Sequence, residues 1–231
     1  MINGWLDGVY HRDAHPGRVG GPIAPFAIVV HTTDVPPEAW SAMMARLQNE
    51  LGAGDGAHFW IGRDAAAGVV QTVPILRNAN HAGGPHHGWF VDGDGNRIHP
   101  NLCAIGIEIH CAGDVAKFSD GWHSLDGHTP TGAVIPESDV VLDPQRPGRG
   151  WHVVTPYQLE QLGMLLDTLE TALAPAPAGL HAISPWEAPP AYGVIGGRIV
   201  GHVSLDARDR ADPWPQAMAW LRERQAKRAA T

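Results

Sequence analysis

His202 closes a short apolar run, Arg198-Ile199-Val200-Gly201, and a carboxylate, Asp212, follows ten residues later, just before Pro213. A histidine at the end of a strand and a carboxylate on the loop behind it can both reach one point in space. Neutral imidazole and carboxylate oxygen are ordinary zinc ligands, and catalytic zinc sites take three protein ligands and keep one position for water. The stretch also reads as a solvated, charge-laced loop, because Asp206, Arg208, Asp209 and Arg210 fill it. His31 ends a second apolar run, Pro25-Phe26-Ala27-Ile28-Val29-Val30, and precedes Thr32-Thr33-Asp34. A polar side chain at a sheet's rim is where α/β proteins tend to place chemistry, although a histidine there can simply cap a buried strand.

A further carboxylate lies between the two cysteines. From Ala104 to His110 the chain alternates, so Ile105, Ile107 and Ile109 take one face of a strand and Ala104, Gly106, Glu108 and His110 the other. The isoleucine face must be core. Glu108 then projects among small residues, onto a face with room beside it. A mid-strand carboxylate is costly to bury alone, so it needs a cation, a water or a substrate. That makes Glu108 a candidate general base; a structural ion pair with an arginine is the alternative. The same strand holds Cys103 and Cys111 apart by roughly 26 Å, far beyond the ~7 Å limit between bridged Cα atoms. Two reduced cysteines fit a cytosolic origin without proving one.

The elements that would position these groups follow from periodicity. Pro36-Pro37-Glu38 opens a helix through about Asn49, with Trp40, Met43, Met44 and Leu47 at helical spacing. Ala57-His58-Phe59-Trp60-Ile61-Gly62 and Gly68-Val69-Val70-Gln71-Thr72-Val73 form a hairpin. His58 shares a face with Trp60 and reads equally well as a packed histidine or a ligand. Asn80-His81-Ala82-Gly83-Gly84 begins a glycine- and histidine-rich loop that reaches Asp94-Gly95. Thr155, with Gln158 three residues on, resembles a capping box, and Leu159, Leu162, Leu165, Leu166, Leu169 and Leu173 form the stripe of the helix behind it. A last helix runs from Trp214 to about Arg228, its basic end suited to the helix dipole. Residues 1–25 show no period and read as an irregular arm. Residues 112–150 and 174–197 are rich in Gly, Pro and polar types and read as functional or disordered loops. Nothing divides the chain, so residues 26–231 are expected to form one domain.

Composition removes several functions. A hydrophobic content of 44% in 231 residues supports a full core. Only 17% of residues are charged and the net charge is -8, so there is no basic footprint for nucleic acid. No apolar run approaches the roughly 18 to 20 residues of a membrane span. The start, Met1-Ile2-Asn3-Gly4-Trp5-Leu6-Asp7, lacks the basic and apolar regions of a secretory signal.

In order, the chain offers a strand ending in His31, a helix, the His58-Phe59 hairpin, Asn80-His81-Ala82-Gly83, Ile105-Gly106-Ile107-Glu108, a helix containing Gln158, then Gly201-His202 and Asp212-Pro213. This order resembles the zinc-dependent N-acetylmuramoyl-L-alanine amidases, a group that spans phage lysozyme amidases, muropeptide-recycling amidases and peptidoglycan recognition proteins. The resemblance covers roughly residues 26 to 214. It implies a single α/β domain with a central mixed β-sheet flanked by helices, carrying long loop insertions at about 112–150 and 174–197. It also implies zinc held by His31, His202 and Asp212, with Glu108 as general base and Arg210 where the family often has a substrate-polarising lysine. Aspartate rather than cysteine as third ligand places the chain nearer the bacterial recycling branch. His58, Asn80 and His81 are assigned to substrate binding. Trp89, Trp122 and Trp151 could stack on sugar faces.

Four features depart from the family pattern. Arginine at 210 is bulkier than lysine and holds its charge firmly. Ala57 stands where phage-type members carry a catalytic tyrosine, and Trp214 where glycine is usual. The two insertions exceed a minimal domain. The substrate implied is the lactyl–L-alanine amide of peptidoglycan or muropeptides, and the extended loops tilt the expectation toward the intact polymer. A binding module that does not cut, or a zinc hydrolase of another amide, is the competing reading. With no signal peptide, the expected place is the cytoplasm, or the cell wall after lysis or dedicated secretion.

Overall fold

The structure, a computed structural model, describes residues 1, 3–50, 56–83, 88–126, 129–183, 198–205 and 212–230. In chain order the strands begin with β1 (Tyr10–His11), β2 (Val19–Pro22), β3 (Ala27–Thr32), β4 (Phe59–Ile61), β5 (Val69–Gln71), β6 (Arg77–Ala79), β7 (Trp89–Val91), β8 (Arg97–Ile98) and β9 (Ala104–Ile109). They continue with β10 (Asp114–Phe118), β11 (Gly121–Asp126), β12 (Thr129–Ile135), β13 (Val140–Leu142), β14 (Arg149–His152), β15 (His181–Ile183) and β16 (Ile199–Gly201). The helices are α1 (Trp40–Asn49), α2 (Pro156–Ala172) and α3 (Pro215–Ala229).

Six strands form the central sheet in the order β1-β5-β4-β9-β3-β16. β4, β9, β3 and β16 run parallel, while β5 meets β4 antiparallel, so the sheet is mixed. The isoleucine face of β9 is fully buried and packs with Leu162, Leu166, Met218 and Leu221 of α2 and α3. On the other face, Met43, Met44 and Leu47 of α1 pack on Ala57, Trp60 and Val70. The result is an α/β sandwich with helices on both sides of one sheet, as the periodicity requires.

The capping box at α2 is formed as expected: Gln158 N donates to Thr155 Oγ1, and Thr155 N donates to Gln158 Oε1. Cys103 and Cys111 are both free and buried, at opposite ends of β9. The first 25 residues are less irregular than their sequence. β1 joins the sheet edge beside β5, and β2 pairs with β6.

The stretch 112–150 holds a larger difference. It is a five-stranded antiparallel sheet in the order β12-β11-β10-β14-β13, over a small core of Ala112, Val115, Trp122 and Ile135. Its outer strand β12 is buried only at Ile135, and β13 is half-buried to exposed. Strands with two wet faces show no alternation, so a period search passes over them. Residues 184–197 of the second insertion lie outside the described residues; before them, β15 pairs with β7. Among the described residues no helix is long and apolar enough to cross a membrane.

Candidate metal centre

Parallel register builds the site as one row across the sheet. His31 on β3 stands opposite Glu108 on β9, and Glu108 stands opposite Trp60 on β4. Gly201 pairs with Val30, so the next residue, His202, comes level with His31. All four belong to the carboxyl ends of parallel strands, where open α/β sheets place their ligands. Gly201 is needed there: a Cβ at this position would strike Met218 and Pro213, blocking the close approach of β16 to α3.

Three side chains converge at the rim. His31 Nδ1 lies 2.9 Å from His202 Nδ1 and 3.3 Å from Asp212 Oδ2. His202 Nδ1 lies 3.4 Å from Asp212 Oδ1. The residues are only 2%, 3% and 4% exposed respectively. Two imidazole nitrogens facing each other need a hydrogen from one ring or a cation between them. One ligand atom from each residue lies within 4.8 Å of the other two, and two imidazoles with a carboxylate are a donor set that zinc takes. The donors therefore suit a small divalent cation. Burial alone would raise the pKa of Asp212, but the charge and hydrogen bonds of His202 and His31 outweigh it and hold the carboxylate ionised. Two backbone amides hold Asp212 in place: Thr32 N donates to Oδ2 at 3.3 Å, and Val203 N donates to its carbonyl at 2.7 Å.

Glu108 is half-buried and lines the same cavity as the three ligands, together with Thr33, Asp34, Met43, Arg46 and Trp60. The cavity volume of ≈ 120 Å³ holds several waters. An ionisable oxygen and the three convergent ligands thus share one wet space over a dry base.

Among the described residues, His58, Asn80, Trp89, Trp122 and Trp151 do not line this cavity. His58 does not face the cavity. It is 0% exposed, its Nδ1 accepts from Gly106 N at 3.0 Å, and its Nε2 donates to the Arg77 carbonyl at 2.8 Å. Both nitrogens are used by backbone, which makes His58 a strut between β9 and β6 rather than a substrate contact. Burial pushes its pKa down to about 4, against the pull of the Arg77 carbonyl. Asn80 is exposed and accepts from Asn101 Nδ2 at 2.7 Å. Arg210 lies outside the described residues. Trp122 and Trp151 are 3% and 5% exposed, so their rings pack and do not offer faces to sugars; Trp89 is half-buried and meets His99 edge to face.

His81 lines the cavity and also touches a proposed ligand. It is 6% exposed, and its Nδ1 lies 3.0 Å from His31 Nε2 while its Nε2 lies 3.2 Å from the Ala104 carbonyl. Burial, followed by its neighbours His31 and His58, pushes its pKa well below the usual histidine value, so the ring is neutral. The room that small residues leave on the Glu108 face of β9 is filled by this ring, since a Cβ on Gly106 would overlap it. The small residues on that face were visible in the sequence; that they seat His81 was not.

An α/β sheet with two imidazoles and a carboxylate converging at its rim, and a second carboxylate one strand away, gives a cluster that could hold one metal ion. The sequence model of the N-acetylmuramoyl-L-alanine amidase family matches residues 22–215, and the chain belongs to that family. No curated protein matches the chain. Among solved structures it is similar to AMPDH3 of Pseudomonas aeruginosa, at 20% identity over 98% of this chain and 66% of that one, with a TM-score of 0.49. It is similar to the N-acetylmuramyl-L-alanine amidase AmiD of E. coli at 16% identity, 93% and 59% coverage, and a TM-score of 0.47. Citrobacter freundii AmpD shares 20% identity over 97% of this chain and 93% of its own, with a TM-score of 0.46. The chain spans less than two thirds of the length of the first two.

Proposed function

We propose that this protein is a zinc-dependent amidase that hydrolyses the bond between N-acetylmuramic acid and L-alanine in peptidoglycan. The observation that carries the proposal is the convergence of His31, His202 and Asp212 beside Glu108 at the rim of the sheet. Family membership supplies the bond. An intact third ligand argues for cutting over binding alone.

An amide resists water because the nucleophile is scarce at neutral pH and the amine leaves poorly. Zinc, which His31, His202 and Asp212 would hold, would supply Lewis acidity to the site. The residues of the chain do the rest. Glu108 takes a proton from the attacking water and delivers it to the departing nitrogen, so one carboxylate serves both halves of the reaction. The water's oxygen ends in the new carboxylate and the L-alanine amine leaves protonated. Arg210, two residues before Asp212 in the sequence, is assigned to the developing oxyanion, a contact typically worth ~3 to 4 kcal/mol.

Incubation of purified sacculi and of soluble muropeptides, with and without chelator, tests this directly by mass spectrometry of the products. The expected products are stem peptides with a free L-alanine amine, absent with chelator and restored by zinc. Cleavage elsewhere, or cleavage indifferent to chelator, defeats the proposal. We assign intact cross-linked polymer to the substrate range because residues 112–150 add a folded sheet close to the site. That sheet leans on the segment before α1, where Ala133 N donates to Glu38 Oε1. Cleavage of fragments alone would instead assign the enzyme to cytoplasmic recycling and refute delivery to the wall.

A further inference from the structure

We propose that His81, seated against Gly106 and bonded to the Ala104 carbonyl, is a positioning residue that fixes which nitrogen of His31 faces the metal. The inference rests on the reading of His31, His202 and Asp212 as metal ligands and adds a third histidine, which acts through His31.

The argument is a chain of donors and acceptors. The Ala104 carbonyl has lone pairs only, so the His81 Nε2 facing it at 3.2 Å carries the hydrogen. A neutral ring protonated there presents a bare lone pair at Nδ1. His31 Nε2 lies 3.0 Å from that lone pair and therefore donates to it. A His31 ring carrying a single hydrogen then has none at Nδ1, the atom that faces His202 and Asp212. A backbone carbonyl of β9 thus dictates, through one intervening ring, the tautomer and the tilt of a ligand on β3. Metal-binding histidines are commonly oriented by a carboxylate or carbonyl on the other nitrogen; here a second imidazole relays the carbonyl.

Gly106 is the independent half of the observation. It lies two residues along β9 from Ala104, on the same face. An ideal Cβ at 106 would collide with Cγ, Cβ and Cδ2 of His81. Gly106 carries no positive φ that would demand glycine for its own conformation. The absence of a side chain there serves the approach of the His81 ring.

Three variants and two readouts decide the matter. His81→Phe keeps the bulk of the ring and removes the acceptor; His81→Gln restores an acceptor; Gly106→Ala displaces the ring without touching it chemically. Nitrogen-15 shifts of the metal-free wild type should show His31 protonated at Nε2 alone, and His81→Phe should show a mixture of tautomers. Zinc affinity, measured by chelator competition, should fall by roughly 10- to 100-fold in His81→Phe and Gly106→Ala, with substantial recovery in His81→Gln. Thermal melts identify any variant that fails to fold, and the wild-type nitrogen-15 spectrum then decides alone. A wild type with His31 protonated at Nδ1 overturns the proposal, as does wild-type zinc affinity in a folded His81→Phe. A wild type that binds no zinc at all refutes the metal reading itself, a distinguishable failure.

Discussion

The two sides of the centre are held in different ways. His31 sits in a six-residue strand that is paired along both edges, by β9 and by β16, and its outer nitrogen is engaged by His81. His202 follows a three-residue strand at the sheet's edge, in a single 3-10 turn, and among the described residues its buried Nε2 has no hydrogen-bond partner. Asp212 bridges them, taking an amide from each side through Thr32 and Val203. Among the described residues, His31 is thus held at both ring nitrogens and His202 at Nδ1 alone. If the centre takes a metal as proposed, the β3 side would reorganise less on binding than the β16 side.

The harshest way to break that comparison is to remove one imidazole at a time. His31→Ala and His202→Ala each leave two ligands, too few for a mononuclear zinc site. Metal analysis of the purified variants should find zinc lost from both. Full retention in either one would remove that residue from the centre.

Glu108 probes the β9 side without touching the ligands. Glu108→Gln keeps the shape and loses the proton acceptor, so turnover should drop by roughly 10² or more while zinc content and melting temperature hold. Near-normal activity would reduce Glu108 to a structural partner. His58 probes the same side through pH. Its folded pKa of about 4 lies below the ordinary 6.5, so the unfolded chain takes up the proton first. The stability it contributes is complete above pH 6.5 and drains away as pH falls toward 4, roughly 3 kcal/mol in all. His152, pushed down to about 3 by burial and then by Arg63, steepens the same loss. Urea midpoints between pH 7.5 and 4.5 should fall steadily in the wild type and less steeply in His58→Gln. An identical slope in the variant would mean that His58 is not the neutral strut its contacts describe.

The sequence carried more of this site than of its surroundings, for a physical reason. Buried strands such as Ala27–Thr32 and Ala104–Ile109 are written in apolar runs or strict alternation, and their polar ends stand out by contrast. α2 was legible from its cap and leucine stripe. The sheet of residues 112–150 was not, because β12 and β13 face water on both sides and carry Pro130 and Gly132 instead of a pattern. Within the site, the histidines could be found but not told apart. His58, His81 and His202 are all buried, and only the partners of each ring tell them apart. Those partners, the Arg77 carbonyl, the Ala104 carbonyl and Asp212, lie up to 23 residues away.

The smallest effect comes from the cap of α2 and shows how far the β9 side extends. Thr155 Oγ1 accepts from Gln158 N, and Gln158 in turn sends its Nε2 to the carbonyls of His110 at 2.8 Å and Ile61 at 3.3 Å. The first turn of the helix thus ties together the ends of β9 and β4, just past Glu108 and Trp60. On the other side, Gln216 plays the matching part for α3, accepting from Val154 N and donating to the Val154 carbonyl. Thr155→Ala removes the cap and should cost about 1 kcal/mol, a fall in melting temperature of roughly 2–4 °C for a chain of this size. If the sheet row alone holds the centre, zinc affinity stays at the wild-type value in this variant. A parallel drop in affinity would show that the helix start belongs to the β9 side of the site, because Gln158 would then have passed the lost bond on to the end of β9.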